Sequence, residues 1–405
     1  MTWSLSHVSA DPAFHPKWLL YANDDAVIYL EWPSIFDMLI QMDISNPLRV
    51  LTIDGGGMRG IYSAAFLHEL SSLFAKKRGC KALDVGKGFD LIVGTSTGAI
   101  VGCALAAGEP LSKVVKLYRE NGPKIFPERV PSSTVRVLKQ MPRRGSINRR
   151  GAEALKAALT AVLGAKTFKE VETSRGIALA IPAVEMSQQR SWVFKTGHWG
   201  GTRDDDTKLV DACMATSAAP IFRSLAAVDA GGELGGYRVF ADGGLWANNP
   251  VLVGLLDAIK MDRTRPIEIY ALGSYPKPDG ERIAKDDLDR GYVDWQFGAK
   301  AASLSIAAQE FAFDNMASMF AREFTDLGRS ISVVRFPKGD LRPDIVPHLE
   351  LDNSSDEAMT ALIDQARADV NLAKSACDNS ADANGRLIKG LFEAMPCRGE
   401  DATNV

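Results

Sequence analysis

Residues 89–108 read FDLIVGTSTGAIVGCALAAG, and the class of fold turns on how this stretch is parsed. FDLIVG (89–94) is a short apolar run closed by glycine, the pattern of a buried strand. TGAIVGCALAAG (97–108) is made of small and apolar residues all round, which marks a helix buried on most sides. Between them lies G-x-S-x-G, Gly94 to Gly98. On a sharp strand-to-helix turn this pattern presents Ser96 at the edge of the sheet, with glycines where side chains would clash. A helix N-terminus beneath the serine favours developing negative charge. The plainer alternative is a tight turn with a capping serine, and the strand–turn–helix setting favours the chemical reading.

Upstream, RVLTI (49–53) reads as a second buried strand, and IYSAAFLHELSSLFAKK (61–77) carries Leu67, Leu70 and Phe74 at helical spacing. Joining them, LTIDGGGMRG (51–60) sets three consecutive glycines where backbone N–H groups can be aimed at a phosphate or an oxyanion. Gly55, Gly57 and Gly60 satisfy GxGxxG, but a dinucleotide site also wants an acidic residue about 20 positions on, closing a second strand. Here Asp84 follows no apolar strand and Asp90 opens one. A P-loop is excluded, since GxxxxGK[ST] is absent. Downstream, FADGGLWANNP (240–250) places Asp242 after the strand YRVFA, at the strand end where such sheets build sites. Its alternative is a simple D-G turn.

Further strands are expected at 176–184, 192–196, 237–241 and 267–272. Helices are expected at 111–120, 152–163, 208–217, 251–261, 299–324 and 355–376. Strands alternating with helices predict an α/β domain with a mostly parallel central sheet flanked by helices. Three regions are expected: residues 1–47, an extension packing on the main domain; 48–295, the catalytic domain; and 296–405, a helix-rich part of the same globule. The 405 residues are 46% hydrophobic and 24% charged, an ordinary globular composition. A net charge of −3 excludes the basic imbalance of a dedicated nucleic-acid binder. Five scattered cysteines without a CxxC pair argue against a disulfide framework and for a reducing cytoplasm. The first residues lack the basic flank and apolar core of a signal peptide, and no apolar run reaches membrane-spanning length. Contact with lipid is therefore expected at the membrane surface only.

A serine nucleophile needs a base and donors for the oxyanion. The histidines are His7, His15, His68, His198 and His348. Only His348 stands where the order Ser…Asp…His would place it, so a Ser-His-Asp esterase remains an alternative. A partly desolvated carboxylate can serve instead, because burial raises its pKa. Ser96 and Asp242 can form such a pair.

DGGGMRG (54–60), GTSTG (94–98), DGG (242–244) with ANNP behind it, and ATSAAPIF (215–222) together resemble the signatures of patatin-like phospholipases, in the family's order. The resemblance covers about residues 49–275. It implies a three-layer patatin-like fold, a modified α/β-hydrolase-like architecture, and a Ser-Asp acyl hydrolase that needs no metal or other cofactor. It further implies that Ser96 attacks an acyl ester, typically of a glycerophospholipid, and that Asp242 is the base. Gly55, Gly56 and Gly57 would hold the oxyanion, with Arg59 steadying their loop and Gly94 and Gly98 shaping the elbow. Some bacterial members are switched on by cyclic nucleotides in anti-phage defence, so a small-molecule nucleotide activator is a further expectation, as is a homo-oligomer.

RVLKQMPRRGSINRR (136–150) concentrates Arg136, Lys139, Arg143, Arg144, Arg149 and Arg150. It suits anionic head groups, at about 1 kcal/mol per basic residue near a membrane, or a phosphorylated effector. The alternative is a solvated basic loop. A nucleotide-binding protein built on the GxGxxG is the competing reading of the whole chain.

Overall fold

A computed structural model of the chain describes residues 46–130, 134–229, 236–274, 282–337 and 341–399, with the backbone of two short strands ahead of them. Those strands, β1 (Trp18–Tyr21) and β2 (Val27–Leu30), pair antiparallel with Trp18 opposite Leu30. They belong to a small unit, Met1–Pro47 with Thr264–Pro266; a second unit holds Leu48–Arg263 and Ile267–Val405. Most of the N-terminal extension, including His7 and His15, lies outside the described residues.

The second unit is built on an eight-stranded sheet. Its parallel part is β3 (Leu48–Ile53), β4 (Leu91–Gly94), β5 (Ala178–Glu185), β9 (Ile267–Leu272) and β10 (Ile331–Phe336), in the order β10-β9-β3-β4-β5. Antiparallel strands β6 (Arg190–Lys195), β7 (Ala226–Asp229) and β8 (Tyr237–Asp242) complete it beyond β5. Period-2 alternation divides the core between two faces. Leu51 and Ile53 of β3 join one apolar cluster, and Leu48 and Val50 join the other. The first face is covered by α1 (Gly60–Lys77), α2 (Thr97–Ala106), α3 (Leu111–Ile125), α4 (Thr134–Leu163), α5 (Phe168–Arg175) and α6 (Leu209–Thr216), with α10 (Asp356–Asp378) and α11 (Ala383–Ala394). The second face takes α8 (Val251–Met261) and α9 (Ala299–Asp326), the short α7 (Gly244–Ala247) leading into it. The result is a three-layer mixed sheet in which four of seven ladders are parallel.

One feature of the register positions the site. On β5, Ala180 pairs with Val93 of β4 on one edge and with Lys195 of β6 on the other. Ala183 pairs with Trp192 of β6 and with Asp242 of β8. Because β6 fills one edge throughout, β4 and β8 share the opposite one. They run toward each other, so their C-terminal ends meet across Ile181 and Pro182.

Several sequence expectations are corrected. The basic segment is not a loop: it is the N-terminal half of α4, with Pro142 and Gly145 inside the helix. Such residues weaken a helix locally, and packing overrides them here, since Ile147, Leu155 and Leu159 are buried. Strand β10 lies in a region expected to be helical and extends the sheet beside β9, with Ile331 opposite Ile267. Helix α5 was not expected; Thr167 and Glu170 start it with a reciprocal capping box. Cys80 and Cys397 are joined in one disulfide, while Cys103, Cys213 and Cys377 are free and buried. Among the described residues no helix is long and apolar enough to cross a membrane.

Candidate active site

The meeting of β4 and β8 brings Ser96 against Asp242. Ser96 Oγ donates to Asp242 Oδ2 at 2.9 Å, and both residues are 7% exposed. Ser96 has φ 53° and ψ −121°, a conformation that costs a non-glycine residue about 1–3 kcal/mol and marks functional sites. The elbow is secured from several directions. Ser96 N–H donates to Thr216 Oγ1 at 2.9 Å, and the Thr216 hydroxyl donates in turn to Pro182 O. Thr95 Oγ1 donates to Ala247 O at 2.6 Å. A Cβ on Gly98 would lie 2.3 Å from Ile53 O, and one on Gly94 2.5 Å from Gly98 O, so the elbow admits no side chain at either position.

Asp242 is held as firmly. Its N–H donates to Ala218 O at 3.0 Å, and Gly244 N–H donates to its Oδ1 at 2.6 Å. Burial pushes the carboxyl from its ordinary 3.8 up to about 6, against the pull of the Gly244 N–H, the Ser96 hydroxyl and the charge of Arg223. A carboxylate of that basicity is suited to accept a proton near neutral pH.

The glycine loop lies alongside: a Cβ on Gly55 would come 3.3 Å from Ser96 Cβ. Gly55 N–H is already engaged, donating to Asn248 O at 2.9 Å. The N–H groups of Gly56 and Gly57 donate to nothing among the described residues. Gly57 has φ +55° and sits so close to Leu351 that a Cβ would be 2.3 Å from its carbonyl oxygen. Met58 N–H donates to that same oxygen at 2.8 Å. Buried Arg59 donates from Nε to Gly56 O at 3.3 Å. Gly55 O accepts from Ser274 Oγ and Asn248 Nδ2, and Asn248 Nδ2 also reaches Glu310 Oε1. Asp54, entering the loop, bonds Arg335 Nη1 at 2.7 Å, and Arg335 bonds Asp314 at 2.7 Å. Burial, opposed by Arg335, raises Asp54 to about 6.

Sequence patterns alone gave no sign of Glu310, Asp314, Arg335 or Leu351, which lie beyond the three motifs. Thr216 and Asn248 were within quoted stretches, and only the fold shows what they hold. Arg223 was also missed; it follows ATSAAPIF directly, is buried, and acts on Asp242 through its charge.

The histidines lie elsewhere. His198 bonds Thr196 Oγ1 and Asp257 Oδ2, His348 sits in a single turn (Val346–His348), and His68 is within α1. No described histidine bonds Ser96 or Asp242. Of the basic segment, Arg144 turns inward, donating from Nε to Ile221 O at 3.1 Å and from Nη1 to Glu128 O at 3.2 Å. Arg143 faces Glu128 at 3.8 Å, and Arg149 and Arg150 are exposed. The side chains of Arg136 and Lys139 lie outside the described residues. Among the described residues no cluster of metal-ligating groups occurs.

A family model described as patatin-like phospholipase matches residues 51–255, just over half of the chain. The chain belongs to the patatin-like phospholipase family. As a patatin-like phospholipase it is a lipid acyl hydrolase, and the dinucleotide-binding reading of GxGxxG falls. Its relatives include a cGAMP-activated phospholipase of Vibrio cholerae serotype O1, 29% identical over 80% of this chain and 90% of that one. A cGAMP-activated phospholipase of Pseudomonas aeruginosa is 34% identical over 66% of this chain and 73% of its own. A cUMP-AMP-activated phospholipase of Escherichia coli is 30% identical over 60% and 69%.

Proposed function

We propose that this patatin-like phospholipase cleaves fatty-acyl esters of glycerophospholipids through Ser96 and Asp242, on receipt of a cyclic-dinucleotide signal in anti-phage defence. The observation that carries the chemistry is the direct 2.9 Å bond from Ser96 Oγ to a buried carboxylate whose pKa is raised to about 6. Ser96 Oγ attacks the ester carbonyl as its proton passes to Asp242 Oδ2. The oxyanion is received by the N–H groups of Gly56 and Gly57, the loop's unengaged donors, while Gly55 and Arg59 hold the loop in shape. Protonated Asp242 then delivers its proton to the leaving lysophospholipid oxygen. In the second half Asp242 takes a proton from water as the hydroxide attacks the acyl-serine, and returns that proton to Ser96 Oγ as the fatty acid leaves.

The activator is supported by the relatives, four of which carry a cyclic dinucleotide in their names. It is also supported by the closure of the site, since a formed but 93% buried serine calls for an opening step. We assign effector recognition to the basic face of α4. There Arg144 links to Ile221 on the segment leading to Arg223, so an anion drawing Arg144 away would loosen that segment. The chain would act in the cytoplasm and at the membrane surface during turnover.

The test is fatty-acid release from mixed phospholipid vesicles with and without cGAMP or cUMP-AMP. Wild type should respond to one of them, and Ser96→Ala and Asp242→Asn should be silent with folding intact. Release that survives Ser96→Ala would refute the mechanism. An Arg143→Ala/Arg149→Ala/Arg150→Ala variant should keep its serine reactive toward a fluorophosphonate but need at least tenfold more effector. An unchanged effector response would remove α4 from recognition.

A further inference from the structure

Arg223 is 8% exposed, yet its Nη2 has no hydrogen-bond partner. Buried guanidinium nitrogens without acceptors are rare, because stripping a charged donor of water is uncompensated. Burial lowers its pKa to about 10, so the group keeps its charge at neutral pH. Its location is fixed by backbone. Arg223 N–H donates to Ala219 O at 2.9 Å, and the adjacent Ala218 O accepts from Asp242 N–H at 3.0 Å. On its outer side Phe126 lies 5.9 Å from the guanidinium carbon. Two residues earlier, Ile221 is held at φ +75°, a strained position for a β-branched residue. Its carbonyl is gripped by Arg144 Nε at 3.1 Å and Asn148 Nδ2 at 3.2 Å. The segment is thus held under constraint, with its buried cation close enough to Asp242 for their charges to interact.

Asp242 favours this cation through its charge, but among the described residues no hydrogen bond joins the two; its oxygens accept from Ser96 and Gly244. What is missing is an anion that arrives with the substrate. A glycerophospholipid carries its phosphate on the glycerol carbon next to the sn-2 ester, so a carbonyl placed at Ser96 brings phosphate oxygens a few bonds away. A planar guanidinium fork is matched to such oxygens. We propose that Arg223 binds the substrate phosphodiester and makes the site selective for phospholipids over uncharged esters. This rests on the acyl-hydrolase reading above and adds the group that recognises the head-group side of the substrate. Ser96 and Arg223 are both buried, so substrate can reach either only after the site opens.

The test uses full-length wild type, Arg223→Gln and Arg223→Lys. Labelling of Ser96 by an uncharged fluorophosphonate reports the serine–aspartate pair alone, and glycerophosphocholine serves as the phosphodiester competitor. Labelling is run with the activating nucleotide present and at about pH 9, where Asp242 is ionised even without the charge of Arg223, and protection is scored against the unprotected rate of the same protein. Glycerophosphocholine protection should weaken at least tenfold in Arg223→Gln and by less in Arg223→Lys, which keeps the charge and loses the fork. With activated enzyme at that pH, kcat/KM should fall at least tenfold in Arg223→Gln on phospholipid, through KM, and by a clearly smaller factor on a 4-nitrophenyl ester. Equal loss on both esters at that pH would show that Arg223 acts only through Asp242 and would overturn the proposal. Unchanged protection would overturn it as well. If Arg223→Gln does not fold, Arg223→Lys decides alone, by the same protection measurement. Phosphodiester protection in a protein that never hydrolyses phospholipid would retain the Arg223 assignment and reject the lipase reading.

Discussion

Asp242 retains its proton to about pH 6 because burial denies its carboxylate water, and the three groups that favour its charge do not offset that loss. As the proposed base Asp242 must be ionised, so kcat/KM is expected to rise with pH through a limb centred near 6. In stability the sign is opposite. A carboxyl that binds its proton more tightly folded than unfolded contributes stability fully below the ordinary value of 3.8, and this is lost as pH rises through about 6. Asp242→Asn removes the ionisation. It should therefore melt close to wild type at pH 4 and gain stability up to about pH 6.5, approaching about 3 kcal/mol. Chemical denaturation of both proteins at pH 4, 5, 6 and 7 reads this directly, and a gap that does not grow with pH would contradict it. Asp54, raised for the same reason, keeps its own contribution in both proteins and cancels in the comparison.

The glycine loop and the two strand ends show how elements, rather than single side chains, make the site. Gly57 is constrained twice, by a positive φ and by a carbonyl 2.3 Å from where a Cβ would stand. Gly79 has a similar φ of +70° with open space around it. The pair separates conformational strain from steric exclusion. Gly79→Ala should cost about 1 kcal/mol and leave activity unchanged. Gly57→Ala should lose several times more stability and its activity, because either the loop or the Leu351 segment must move. Thermal melts together with fluorophosphonate labelling of Ser96 distinguish the two outcomes. The motifs themselves were legible because their demands are local: elbow glycines and the strand–turn–helix pattern depend on neighbours within a few residues. Helix α4 was not legible over 136–150, since Pro142 and Gly145 argue locally for a break. It forms because apolar side chains such as Ile147 find a buried place on the core.

Across the fold, the C-terminal region helps to build the candidate site. β10 brings Arg335 to Asp54, α9 brings Glu310 and Asp314 to the catalytic loops, and the Leu351 carbonyl receives Met58 N–H. Arg335→Met would leave a buried carboxylate at the loop entrance without its cation. It should cost about 2 kcal/mol and slow Ser96 labelling, even though Arg335 lies outside the three motifs. Urea denaturation with the labelling assay checks both, and full labelling in a destabilised variant would restrict the cluster to stability.

Alternation of apolar runs was enough to predict an α/β domain, and the resemblance carried by the three ordered motifs implied its patatin-like architecture and the roles of Ser96 and Asp242. These signals are carried by short-range backbone and solvation preferences, which each segment expresses wherever it lies. The elements around them depend on pairings between distant segments. Ser96 meets Asp242 across 146 positions and Asp54 meets Arg335 across 281. Neither the closure of the site, the Cys80–Cys397 link nor the unpartnered fork of Arg223 has a local signature. Each arises when packing sets which groups lose water and which partners they find there, and that balance exists only once the sheet and its two helical layers have assembled.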